Sequence, residues 1–144
     1  MAVLRYVVRI TAPAHHLVGI ELRFPVDTAT VEVTLPAWCP GSYLIRDYAR
    51  FVRDLAVSGD DGAPRRAVKR DKSTWVVDAT GARELRVRYA IYGHELTVRT
   101  NHIDAEHAFL HGPATFIYPS HLRVDRVRAR RPEVDRMIIE LVDR

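Results

Sequence analysis

The chain has 144 residues, of which 47% are hydrophobic and 28% charged, a balance that suits one globular core and excludes a disordered polymer. The formal net charge is +4, but the arginines are spread among aspartates and glutamates, with only the stretch from Arg123 to Arg131 dense, so nucleic acid is not the expected partner. No apolar run approaches the roughly 20 residues that span a bilayer, and the start MAVLRYVVRI carries charge within its apolar stretch, so it reads as a strand. A chain off the membrane is expected, cytoplasmic by default with export left open. The single Cys39 rules out an internal disulfide.

Alternation with a period of two dominates the chain, the pattern of strands with one buried face. Tyr6, Val8 and Ile10 form the first such series, and Val18, Ile20, Leu22 and Phe24 the second, separated by the turn-like TAPAHH. A third series, Val31, Val33 and Leu35, stops at Pro36. Residues 51–57 form a further strand, ended by SGDDGAP, whose Gly, Asp and Pro supply the torsions of a reversal. A short stretch around Val68 follows, then a strand around Trp75 to Val77, the turn ATGAR, and the clean series Leu85, Val87, Tyr89 and Ile91. This is the profile of a mainly β protein, an antiparallel β-sandwich or saddle-like sheet. Near the end, Pro132 suits a first helical turn, and Val134, Met137, Ile138 and Leu141 recur at helical spacing. A short C-terminal amphipathic helix is expected there. Its apolar stripe would cap this domain or contact another.

Four of the seven histidines fall between His94 and His111, and His107 and His111 stand four apart, the spacing of two ligands on one helix face. The zincin pattern, however, requires a glutamate after the first histidine, and that position is Ala108. The inverted motif also fails, because His102 lies one residue too far from the Glu106-His107 pair. No metal ligand set is therefore assigned. Gly41-Ser42 lacks the second glycine of a nucleophile elbow, and Cys39 reads as a small buried residue. No catalytic residue is assigned either, and no cofactor is expected in this chain.

The segment from Leu35 to Val52, LPAWCPGSYLIRDYARFV, is aromatic-rich and twice interrupted by proline, which would break a central strand. Two readings stay open. In one, Trp38 and Tyr43 plug the core and Arg46 pairs with Asp47 or a carbonyl; in the other, a rigid loop presents an aromatic and arginine-bearing contact surface.

The run WCPGSYLIRDYARFV resembles the WxPGSYxIRxYA signature of the glycyl aminopeptidase family of zinc metallopeptidases, which carry a trailing PDZ domain. The opening YVVRITAPAHHLVGIELRF, the DKSTW stretch at Asp71 to Trp75, and YAIYGHELTVRTNHIDAEHAFLHG agree with the family in order and spacing. Cys39 stands where Thr or Ser is usual, and His111 where asparagine is. The resemblance implies an amino-terminal β domain over 1–120; beyond it the family pattern fades into a divergent basic segment with the short helix over 121–144. It implies further a thermolysin-like zinc domain, bearing HExxH, that is missing from this chain. On that basis Trp38, Pro40, Gly41 and Ser42 would form a structural loop. Tyr43, Arg46 and Asp47, with Arg99 and His102 in a second loop, would make interdomain or substrate-cleft contacts. The implied partner is a peptidase catalytic domain, in cis or from a neighbouring reading frame, with zinc belonging to that domain. The chain alone would be inert in hydrolysis, and an uncovered apolar interface would favour self-association. The alternative is a stand-alone β-sandwich module that binds a peptide, sugar or acidic partner.

Overall fold

The computed structural model of the protein describes residues 3–122 and 136–142. Its elements in chain order are β1 (Val3–Ala12), a 3-10 turn at Pro13–His15, β2 (Leu17–Pro25) and β3 (Thr30–Thr34). A loop then leads to a 3-10 turn at Tyr48–Phe51, followed by β4 (Val52–Gly59), β5 (Pro64–Arg65), β6 (Ala67–Lys69), β7 (Thr74–Asp78) and β8 (Glu84–Tyr92). After a second loop come β9 (His102–Ile103), β10 (Ala108–Phe109), the single-turn helix α1 (Gly112–Thr115), β11 (Tyr118–Pro119) and β12 (Arg136–Val142).

Among the described residues these strands form three sheets: a large one in the order β12-β1-β2-β8-β4-β5, a second in the order β11-β3-β7-β6, and the small β10-β9 hairpin. The alternating series predict this arrangement well. Leu85, Val87, Tyr89 and Ile91 all turn one face of β8 inward, between β2 and β4, and Val18, Ile20, Leu22 and Phe24 do the same on β2. Val31 and Val33 on β3 with Trp75 and Val77 on β7 supply the opposing apolar face, so both larger sheets share one core. Full burial of each such Val, Leu, Ile or Phe side chain contributes about 1.5–3 kcal/mol, which is why the period-two signal decides the fold.

Two buried phenols anchor the segment after α1 to this core. Tyr6 donates to the Ile117 carbonyl at 2.6 Å. Tyr89 donates to the Thr115 carbonyl at 2.7 Å and accepts from the Ile117 N–H at 3.0 Å. Burial raises both phenols well above their ordinary range, so they stay protonated donors.

The C-terminal prediction is corrected by the fold. Residues 136–142 are not helical: they form β12, which pairs in parallel with β1 from Val3↔Arg136 to Arg9↔Val142. The physical reason is that MIIELV is a short aliphatic run compatible with either period, and the free edge of β1 offers it a backbone ladder. Pro132 and Val134, the expected helix start, lie outside the described residues.

Candidate functional site

Two loops at one end of the sheets carry the features that the strand pattern leaves unexplained. The first, residues 36–47, is built as a closed unit. Cys39, Pro40, Gly41 and Ser42 make a reversal closed by Ser42 N–H donating to the Cys39 carbonyl at 3.1 Å. Proline at the second position and glycine at φ 84 in the third are what a type II turn requires. The Trp38 indole N–H donates to the Ser42 carbonyl at 2.8 Å, and the Ser42 hydroxyl donates to the Leu44 carbonyl at 2.9 Å. The Ala37 carbonyl accepts from Arg46 N–H at 2.7 Å, closing the base. Cys39 is buried beneath the turn, 3.6 Å from the Tyr48 hydroxyl, whose pKa is pushed up to about 12 by burial and then by this contact.

The side chains bear on the first of the two readings of this segment. Tyr43 is 99% exposed and Trp38 49%, so neither plugs the core. The polypeptide spends its local hydrogen bonds on holding the turn rigid, which leaves Tyr43, Leu44 and Ile45 facing solvent. Arg46 does not pair with Asp47: the Asp47 carboxylate lies 3.7 Å from Lys72, and Arg46 Nε is buried with no hydrogen-bond partner among the described residues.

The second loop, residues 94–101, lies beside the first. The Arg99 guanidinium donates to the Gly41 carbonyl at 2.6 Å, and Arg50 reaches Glu95 at 3.8 Å. Thr97 and Thr100 share a hydroxyl hydrogen bond of 2.6 Å, while Leu96 at 86% and Val98 at 79% exposure point outward. A backbone bridge between His94 and His102 closes the loop's base. Tyr43, Arg46, Asp47 and Arg99 thus belong to one loop pair, together with Leu96 and Val98, which the sequence reading passed over because exposed aliphatics leave no periodic trace.

His102 stands apart from this surface. It is buried, and its Nε2–H donates to Asp104 at 3.0 Å. Its ring lies 5.6 Å from that of His94, which stacks on His16 at 3.7 Å, and His107 lies 5.3 Å away on the other side. Asp104 organises the turn between β9 and β10 by accepting from the backbone N–H groups of His107 and Glu106, both at 2.8 Å. These bonds, chiefly the one from His107, hold its carboxyl well below the usual carboxylate range. His107 and His111 share no helix face, because β10 lies between them. His111 instead lies near Tyr48, and its pKa is lowered by burial and by the neighbouring Arg99 charge. Asn101, also unremarked in the sequence, is a buried hub: its Oδ1 accepts from His111 N–H at 2.7 Å and from the Thr115 hydroxyl at 3.2 Å.

No zincin motif emerges from this arrangement. Glu95 does follow His94, but the position that HExxH reserves for its second histidine is Val98. What the fold and loops define is a β-rich domain with two hydrogen-bonded loops, joined through Arg99, that carry exposed apolar side chains.

Comparison with known families and structures agrees with that class. The profile of the peptidase M61 N-terminal domain matches residues 5–134, and the chain belongs to this family. Among solved structures, an aminopeptidase N family protein from Idiomarina loihiensis superposes with a TM-score of 0.77 at 24% identity, over 81% of this chain and 20% of that one. The chain therefore spans about a fifth of the length of that relative, whose likeness establishes the fold. An M1 zinc metallopeptidase from Deinococcus radiodurans, bound to a Tyr-Ser-Ala substrate, shows only a partial likeness, with a TM-score of 0.42 at 14% identity over 74% of this chain and 24% of that one. A search of curated sequences finds no match.

Proposed function

We propose that this chain is a non-catalytic domain that packs against a zinc peptidase domain and helps shape its substrate cleft through the 36–47 and 94–101 loops. The observation that carries this reading is the exposure of Tyr43, Leu44, Ile45, Leu96 and Val98 on two loops that Arg99 ties together. Isolated apolar side chains on a surface need no explanation, but five exposed ones on two loops joined by a hydrogen bond mark an interaction surface. Rigidity matters here, because a surface already ordered loses little side-chain and loop freedom on docking. Arg46, Asp47 and Arg99 supply a polar rim, the usual companion of an apolar contact centre.

Membership in the M61 N-terminal family supports a peptidase domain as the occupant. The zinc of such enzymes would be held by the HExxH histidines of that other domain and would polarise the scissile carbonyl there. The residues of this chain do not form that motif, so its contribution is positional: it excludes water from one wall of the cleft and fixes the peptidase domain's orientation.

The test is a polypeptide in which this domain is joined to its peptidase domain. Tyr43→Asp combined with Arg99→Glu should uncouple the two melting transitions and lower kcat/KM for glycyl or alanyl anilides at least tenfold. In the isolated domain the same pair should move the melting temperature by only a few degrees. Full activity and a single unchanged transition in the joined protein would overturn the proposal.

A further inference from the structure

We propose that His102, Asp104 and His107 form a binding site for one divalent transition-metal ion, zinc foremost, which staples the β9-β10 hairpin. One donor atom from each residue can be chosen such that all lie within 4.8 Å of one another. His102 Nε2 is 3.0 Å from Asp104 Oδ2, and His107 Nδ1 is 3.2 Å from Asp104 Oδ1. A tetrahedral zinc ion bound at about 2.0–2.1 Å places its nitrogen and oxygen ligands roughly 3.3 Å apart. Each imidazole nitrogen thus lies near coordination spacing from one oxygen of the Asp104 carboxylate, Oδ2 for His102 and Oδ1 for His107.

The geometry does not depend on mutual attraction of the three side chains. β9 pairs with β10 in the register Ala108↔Ile103 and Phe109↔His102, which sets the two strands. Asp104 N–H donates to the His107 carbonyl at 3.0 Å, and the Asp104 carboxylate takes two backbone N–H groups of the same turn. The backbone thus brings His107 back towards His102. Behind the site, the rings of His94 and His16 back His102, and His16 Nδ1 donates to the Ile103 carbonyl at 2.6 Å, fastening this layer to β9. The ring proton of His102 sits on Nε2, where the Asp104 carboxylate accepts it, and among the described residues Nδ1 has no hydrogen-bond partner. A metal can replace the proton that Nε2 otherwise shares with Asp104.

The donor set selects the ion class. Two imidazoles and one carboxylate suit zinc, nickel or copper, whereas magnesium and calcium favour all-oxygen sites. The His107 side chain is 63% exposed, so an ion enters from solvent and keeps at least one position for water. Sequence spacing directed attention to His107 with His111, a pair that the fold separates; the tertiary set replaces His111 with His102 and Asp104.

Tag-free protein, stripped with chelator, should bind one Zn2+ per chain by calorimetry, and its melting temperature should rise with zinc and not with magnesium. Cobalt substitution should give the intense visible bands of a low-symmetry, four-coordinate ion. His107→Gln, at an exposed position that the fold tolerates, should weaken zinc binding at least tenfold and abolish the cobalt bands, and Asp104→Asn should do the same. His111→Gln should bind as the parent does. Absence of one-to-one binding at submillimolar zinc, or equal binding by His107→Gln, would overturn the proposal.

Discussion

The Arg99 guanidinium donates to the Gly41 carbonyl across 2.6 Å, joining residues 58 positions apart in the sequence. That contact ties the 36–47 loop to the 94–101 loop. Its partner is a carbonyl left outward by the type II turn, so it depends on Gly41 as much as on arginine. Arg99→Ala should lower global stability by only about 1 kcal/mol or less, as expected for an exposed interaction. Local protection should suffer far more. Hydrogen exchange at 40–46 and 95–100 should accelerate severalfold while β2 and β8 remain unchanged; uniform acceleration would contradict a loop-specific role.

Glu21 is a buried carboxylate on the outer face of β2, held by the side chains of Arg23 and Arg88. Burial opposes its ionisation, but the two guanidinium hydrogen bonds win and lower its pKa below the usual 4.5. A carboxyl whose folded pKa is depressed stabilises the fold above its unfolded pKa, and this contribution is lost as pH falls through the folded value. Glu21→Gln should therefore cost about 1–3 kcal/mol near pH 7 by leaving charged donors poorly matched. Urea melts of the two proteins should converge below about pH 4. A gap that stays constant with pH would contradict the ion-pair account.

Tyr6 and Tyr89 offer a paired comparison, since both reach the 115–117 segment with buried hydroxyls. Removing the Tyr6 hydroxyl orphans one acceptor, the Ile117 carbonyl. Removing that of Tyr89 orphans the Thr115 carbonyl and the Ile117 N–H together. Each unsatisfied buried group costs about 1–3 kcal/mol, so Tyr89→Phe should destabilise more than Tyr6→Phe in denaturant titrations. The reverse order would show that water repairs the Tyr89 site.

Gly93 sits where β8 hands over to the second loop, and its N–H donates to the His16 carbonyl at 2.8 Å while its carbonyl accepts from Ile103 N–H at 2.9 Å. A Cβ added there would meet Ile103 Cδ1 at 2.6 Å, Asn101 Cβ at 2.7 Å and the Asn101 backbone at 2.9 Å. Backbone cannot yield as a flexible side chain can. Gly93→Ala should cost about 1–3 kcal/mol and lower the melting temperature by several degrees. The same change at Gly112, where no atom lies within 4 Å of the added Cβ, should be nearly neutral.

The strands were legible because burial on one face of a sheet imposes a period of two, and Val18 to Phe24 and Leu85 to Ile91 follow it without interruption. The turn at Gly41 was legible for a similar local reason, Pro-Gly torsions. β12 was misread because six consecutive residues rich in aliphatics satisfy both periods, and its partner β1 lies more than a hundred residues away in the chain. The exposure of Trp38 and Tyr43 was open in the sequence, since an aromatic residue is as compatible with a core as with a contact surface.

By itself the sequence determined the β class, the core faces of the main strands and, through the run WCPGSYLIRDYARFV, the family, because each depends on local order along the chain. Tertiary structure alone decided that Arg99 braces Gly41, that Leu96 and Val98 are exposed on a loop tied to the one bearing Tyr43, and that His102, Asp104 and His107 converge while His111 turns elsewhere. Those relationships arise from strand register and hairpin closure, which set distances between residues whose separation in sequence carries no such information.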